Sequence, residues 1–160
     1  MKTILSIFIL LFMHSDQQST VHEEKGDPAK EALAIVTRLF EAMQAKDADG
    51  IRAVFFPDGQ LAITRKRDGK TIVRLLTADA FAKSIVEGKG VYREHMYKPE
   101  ALVSGDLVTV RGRYGFYADD SFSHCGLNSF HLMLTEQGWK IVNAASTVET
   151  DGCEPESKAK

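Results

Sequence analysis

The sequence predicts an α+β domain in which three N-terminal helices pack on an antiparallel sheet. The first half of the chain carries apolar stripes at helical spacing, and the second half alternates long strand-like segments with short turns. Helices that are segregated from an antiparallel sheet define this class. The 160 residues, 44% of them apolar, are enough for one domain with a real core. A net charge of −2 does not favour nucleic acid or an anionic membrane as a partner.

The N-terminal segment predicts export. Lys2 precedes an apolar run over residues 4–13, and about ten apolar residues suit a signal peptide but are too few to span a bilayer. We therefore predict a signal peptide over 1–19 and a linker over 20–27. The protein is then secreted or periplasmic, and it meets the membrane only during export. The alternative is an apolar first strand or helix of a cytosolic protein.

The remaining chain divides into a folded domain over 28–153 and a disordered tail over 154–160. Each predicted helix begins after a residue that can cap it, namely Asp27, Asp47 or Thr77. Pro28 suits the first helical position of the first helix. The apolar stripe of that helix is made of Ala32, Ile35, Val36, Leu39, Phe40 and Met43.

Turn signals delimit the strands. Asp68-Gly69 predicts a hairpin between Leu61–Thr64 and Thr71–Leu75. Three further turns, at 104–106, 118–121 and 136–138, separate four long strands in a meander.

The strand register decides which side chains face the helices, because a slip of one residue exchanges the two faces. In the last hairpin we place Leu134 opposite Trp139 and Phe130 opposite Asn143. In the preceding hairpin we choose the register that keeps two arginines out of the core, since burying unpaired charge is costly. It sets Tyr114 opposite both His124 and Tyr97, sets Phe116 opposite Phe122, and turns Glu94 outward.

This register predicts a concave apolar surface with a few convergent polar groups, which suits a small-molecule site. The predicted ligand-binding residues are Met43 on the first helix and, on the strands, His95, Tyr97, Tyr114, Phe116, Phe122, His124 and Asn128.

Two of these side chains are the candidate catalytic groups. His124 and Tyr114 are the residue types that act as base and acid in an isomerase or dehydratase. The alternatives are a histidine hydrogen-bonded in the pocket wall and a core tyrosine whose hydroxyl lies at the rim. His95, His124 and His131 do not share a short ligand spacing, so we predict no metal site and no cofactor.

The chain has two cysteines, Cys125 and Cys153. In an oxidising compartment an even number of cysteines favours a disulfide, and the alternative is two free thiols. Cys125 alternates to the face opposite His124, so we expect a structural role for it rather than a nucleophilic one.

The order of elements and several short segments resemble the nuclear transport factor 2-like superfamily, and more narrowly its bacterial lumazine-binding branch, which is close to SnoaL-like and ketosteroid isomerase-like domains. The resemblance covers about residues 28–153. The segments that carry it are Phe56-Pro57-Asp58, His124-Cys125-Gly126, Asn128-Ser129-Phe130-His131, Gly138-Trp139-Lys140-Ile141-Val142 and Gly152-Cys153.

The resemblance implies a cone-shaped roll in which the helices pack on a strongly bent antiparallel sheet and leave a pocket. It also implies a homodimer formed through the outer sheet face. That face would carry Arg111, Arg113, Leu127, Ser129, His131 and Met133. The branch is expected to carry aspartate where this chain has Asn128 and Ser146, and both losses lower the expectation of catalysis. We therefore expect a domain that binds a small apolar or aromatic molecule without catalysis. The alternatives are an isomerase or dehydratase of the ketosteroid isomerase type and a dimerising interaction module with a filled pocket.

Overall fold

The computed structural model describes residues 26–153. The predicted signal peptide, most of the predicted linker and the predicted tail lie outside these residues. Within residues 26–153, no helix is both long and apolar enough to cross a membrane.

The fold has three helices, two before the first strand and one between the second and third strands. Each helix begins directly after the capping residue that the sequence predicts. They are α1 (Pro28–Ala45), α2 (Ala48–Val54) and α3 (Ala78–Glu87). The carboxylates of Asp27 and Asp47 accept backbone N–H bonds at the first two helix starts, and the Thr77 hydroxyl does so at the third. Such caps satisfy backbone donors that a helix start otherwise leaves unpaired.

Six strands form one sheet in the order β2-β1-β6-β5-β4-β3. Their bounds are β1 (Phe55–Arg67), β2 (Lys70–Thr77), β3 (Tyr92–Ser104), β4 (Leu107–Ala118), β5 (Ser121–Thr135) and β6 (Gly138–Val148). The hairpin and the four-strand meander are antiparallel as predicted, while β1 and β6 pair in parallel. The α+β class with three helices on one sheet is confirmed.

The core lies between the helices and the inner face of the sheet. The stripe on α1 is buried against inner side chains of the meander, including Val108, Val110, Leu132 and Ile141. The indole N–H of Trp139 on β6 donates to a carboxylate oxygen of Glu31 at 2.8 Å, which ties the start of α1 to the last strand.

The register predicted for the β5–β6 hairpin is right near its turn and wrong beyond a bulge. The register predicted for the β4–β5 hairpin is wrong already beside its turn, where Phe122 pairs with Tyr117 and not with Phe116. Leu134 pairs with Trp139 as predicted, but Phe130 pairs with Ala144 because Val142 is an extra residue in β6. Between β4 and β5, Tyr114 pairs with Gly126 and Phe116 pairs with His124, a shift of two residues from the prediction. A shift of two keeps Tyr114, Phe116 and His124 on their predicted face.

The register predicted for β3 is right from Glu100 to the turn and wrong on the N-terminal side of Lys98. This correction changes which residues form the site. Tyr97 pairs with Arg113 and Glu100 with Arg111, so Lys98 and Pro99 together oppose one residue of β4. Such a β-bulge exchanges the faces of the strand on either side of it. As a result Glu94 points inward, contrary to prediction, and Tyr97 points outward.

The predicted disulfide is present on the outer side of the sheet. Cys125 and Cys153 are bonded with their Cα atoms 5.7 Å apart. Beside it, the backbones of Cys125 and Glu149 exchange two hydrogen bonds at 3.0 and 2.8 Å, and Glu149 forms an ion pair with Arg113 at 3.0 Å. The C-terminal segment is therefore fixed against β5. Leu127 and Met133 are exposed on this outer face, and its pairing with a second copy stays a prediction.

Candidate functional site

A cavity of about 490 Å³ lies between the inner face of the sheet and helices α1 and α3. This volume is in the range of sites that hold small organic molecules. Every strand contributes to its lining, which is mostly apolar. Its aliphatic and aromatic wall includes Leu39, Phe40, Met43, Phe81, Ile85 and Phe130.

A chain of three polar side chains lies at the base of the cavity. The Ser146 hydroxyl donates to Oδ1 of Asn128, and Nδ2 of Asn128 donates to Oε1 of Glu94. Asn128 is only 1% exposed and is the one buried polar residue among the described residues. Because Asn128 and Ser146 pair across β5 and β6, the sheet itself sets the direction of the amide. The amide then presents a donor to Glu94.

Glu94 is a carboxylic acid whose pKa is raised. It lines the cavity, and burial raises its pKa from 4.5 to about 7, opposed by the hydrogen bond from Asn128. Burial raises the pKa of a carboxyl group because it disfavours the charged form. At neutral pH both protonation states of Glu94 are therefore populated, which is the condition for a group that accepts and returns a proton.

Tyr114 and His124 lie beside this acid. The Tyr114 hydroxyl donates to the carbonyl of Thr147 at 2.8 Å, and its pKa is raised, chiefly by burial and then by the charges of Glu94 and Glu149. The His124 ring stacks on Phe116 with centroids 4.6 Å apart. Burial lowers the pKa of His124, so its imidazole is neutral at neutral pH.

Four of the predicted ligand-binding residues line the cavity, and these are Met43, Tyr114, Phe116 and His124. Asn128 lies behind the lining and reaches the cavity through Glu94.

The other three predicted ligand-binding residues lie elsewhere. The bulge at residues 98–99 turns His95 and Tyr97 to the outer face, where their rings pack together with centroids 5.3 Å apart. A second bulge, at Ser123, turns Phe122 outward; it is 45% exposed and packs on Tyr117.

Sequence reasoning missed three charged residues and two serines of the lining, namely Arg65, Arg74, Glu94, Ser84 and Ser146. One signal could have found Glu94. A proline inside a strand indicates an edge or a bulge, and Pro99 lies five residues after Glu94. A bulge placed there brings Glu94 inward.

Arg65 on β1 and Arg74 on β2 line the cavity and are also exposed to solvent. They therefore mark the opening of the cavity, while the polar chain of Glu94 lies at its base. Among residues 26–153 no group of three or more His, Cys, Asp or Glu side chains is arranged to hold a metal ion.

No family model and no curated protein matches the chain. Solved structures do match. An NTF2-like protein from Cytophaga hutchinsonii is 16% identical with a TM-score of 0.62, over 77% of this chain and 99% of that one. A nuclear transport factor 2 (NTF2-like) superfamily protein from Salmonella enterica serovar Typhimurium is 14% identical with a TM-score of 0.62, over 81% and 96%.

A third match, from Streptomyces avermitilis, is described as a candidate dehydratase of the NTF2-like family. It is 12% identical with a TM-score of 0.57, over 75% of this chain and 94% of that one. Identities this low establish the fold and not the activity. Together with the helices, sheet order and cavity above, they show that this chain has the cone-shaped fold of the nuclear transport factor 2-like proteins.

Proposed function

We propose that this domain binds a small, largely apolar or aromatic molecule in the cavity between the helices and the sheet. The observation that carries the proposal is the cavity itself, about 490 Å³ of mostly apolar lining with Glu94 and His124 converging on it. Binding sites for small molecules combine such a lining with a few placed polar groups. A cavity of this size also speaks against the alternative of a pocket filled by its own side chains.

We infer that binding takes place outside the cytoplasm, in a secreted or periplasmic protein. The Cys125–Cys153 bond supports this setting, since disulfides persist mainly in oxidising compartments.

Filling the cavity should abolish binding. Ser84 on α3 lines the cavity, so a Ser84→Phe substitution places a ring in the ligand volume. A ligand present at about one hundred times its Kd stabilises a protein by roughly 2.7 kcal/mol. We expect a panel of aromatic and alicyclic compounds to raise the melting temperature of the wild type and to leave that of Ser84→Phe unchanged.

The matched control is Ser104→Phe, at the exposed end of β3 and outside the cavity lining, which should keep the ligand response. Equal responses in Ser84→Phe and the wild type, or no response to any compound, would count against the proposal.

A second candidate function is proton transfer on the bound molecule, as in an isomerase or dehydratase. The observation that favours it is Glu94, an inward carboxyl whose pKa is raised by burial to about 7. Glu94 takes the role of base that the sequence suggests for His124. Tyr114 is less suited to act as an acid, because its hydroxyl proton is directed to the Thr147 carbonyl.

Deuterium exchange tests this second candidate. A ligand from the panel that has an acidic C–H bond is incubated with the protein in D2O, and loss of its proton signal is followed by NMR. Positioned acid–base groups contribute about 10²–10⁴-fold to proton transfer, so we expect Glu94→Gln to slow exchange by that order without loss of binding. Exchange that is unaffected by Glu94→Gln would leave binding as the function.

A further inference from the structure

We propose that the ligand is a compact organic acid, whose anionic group lies between Arg65 and Arg74 and whose aromatic or alicyclic body fills the cavity. This inference rests on the binding function proposed above and adds the charge and the orientation of the ligand.

The first argument is the polarity pattern of the β1–β2 hairpin. Along β2, Arg74 faces the cavity while its neighbours Val73 and Leu75 face outward and are 59% and 67% exposed. A sheet with one solvated face normally turns its apolar residues inward and its charges outward. Here Arg65 and Arg74 are on the inner side. Folding alone does not account for that arrangement, whereas a polar group on a bound molecule does.

The second argument is the spacing of the two arginines. Arg65 pairs with Ile72, and Ile63 pairs with Arg74, so the two arginines share one face as diagonal neighbours. Diagonal positions on an antiparallel pair are roughly 7–8 Å apart. Two long side chains at that separation can converge on one small anion. The planar guanidinium group binds a carboxylate through two parallel hydrogen bonds.

The third argument is that neither guanidinium has a protein counter-charge. In the part of the chain that the structure describes, no carboxylate lies within ion-pair distance of Arg65 or Arg74. Other arginines of the domain, such as Arg52 and Arg111, do form ion pairs. The two arginines at the opening are therefore available to a ligand.

The charges inside the cavity set the orientation of such a ligand. Glu94 lies with Asn128 and Ser146 at the base, and an ionised Glu94 repels a second carboxylate. Arg65 and Arg74 lie at the opening and attract one. The apolar body therefore enters first, and the acid group remains at the solvent-exposed end.

The experiment compares two probes of the same shape, 2-naphthoate and its neutral amide, 2-naphthamide. Their Kd values are measured by calorimetry on the wild type and on the double variant Arg65→Gln/Arg74→Gln. A net gain from charge-assisted hydrogen bonds corresponds to roughly tenfold in Kd. We expect the naphthoate to bind the wild type about tenfold more tightly than the amide, and the double variant to bind both probes equally.

The double variant Lys66→Gln/Arg67→Gln is the charge-matched control. Both residues follow Arg65 on β1 and lie outside the cavity lining, so this variant should keep the preference for naphthoate. A preference lost equally in both double variants would assign it to overall charge and overturn the inference.

The two proposals fail in different ways. If 2-naphthamide binds and Ser84→Phe abolishes its binding, but naphthoate has no advantage, the cavity binds ligands and the anion inference is wrong. If Ser84→Phe changes the binding of neither probe and of no compound in the panel, the proposed binding function is itself wrong.

Discussion

Replacement of Glu94 by glutamine is expected to raise the free energy of unfolding by up to about 3 kcal/mol near pH 8 and to change it little near pH 5. The pKa of Glu94 is about 7 in the folded chain against an ordinary value of 4.5. Above pH 4.5 the unfolded chain releases this proton, while the folded chain keeps it until about pH 7. The unfolded state then binds fewer protons, so the stability of the wild type falls as pH rises between these two values.

Glutamine removes this penalty because it does not ionise, and its amide oxygen still accepts the bond from Asn128. The measurement is urea unfolding of the wild type and Glu94→Gln across that pH range. Glu136→Gln, in an exposed turn, is the matched control and should follow the wild type. Parallel pH profiles for the wild type and Glu94→Gln would contradict the burial argument. A gain in stability would indicate that the ionisable group is kept at a cost, as is common at functional sites.

Removal of the disulfide is the second large effect that we expect. The bond joins residues 28 positions apart, and a closed loop of that length stabilises a fold by roughly 3–4 kcal/mol through the unfolded chain. The double variant Cys125→Ser/Cys153→Ser should lose that amount in equilibrium unfolding. Amide exchange should also increase at positions 125 and 149, whose backbones are hydrogen-bonded to each other beside the disulfide.

Reductant provides the control for this variant. Dithiothreitol should lower the unfolding midpoint of the wild type to that of the double variant, and it should leave the double variant itself unchanged. A wild type that is indifferent to reductant, or a double variant as stable as the wild type, would show that the bond is not a structural element of the fold. It would also remove one support for an extracytoplasmic setting.

Features that depend on neighbouring residues were predictable from the sequence. The three helices are capped by Asp27, Asp47 and Thr77, as predicted. A short polar side chain just before an apolar stripe is well placed to accept hydrogen bonds from the free N–H groups of the first helical turn. The turn at Asp68-Gly69 holds a positive φ at both positions, as its hairpin requires. The disulfide followed from two cysteines together with predicted export.

The candidate site was only partly predictable, because a side chain's face depends on every bulge between it and the nearest turn. Tyr114, Phe116 and His124 were placed correctly in the cavity since a shift of two residues does not change the face. Glu94 was placed on the wrong face because Lys98 and Pro99 add one residue to β3. This bulge includes a positive φ, 43° at Lys98. A positive φ is uncommon for residues other than glycine, so a lysine in the sequence does not indicate it.

The parallel pairing of β1 with β6 has a consequence for how the cavity is assembled. Leu61 lies beside Ala144 in this pairing. The hairpin that carries Arg65 and Arg74 therefore has no strand to pair with in the rest of the sheet until β6 has been synthesised. Contacts between segments so far apart in the chain form slowly, since closing the intervening loop costs entropy before the stabilising contacts can form. A nascent chain that stops before β6 lacks the strand that joins the hairpin to the meander. The cavity can therefore form around a ligand only after synthesis of the domain is complete.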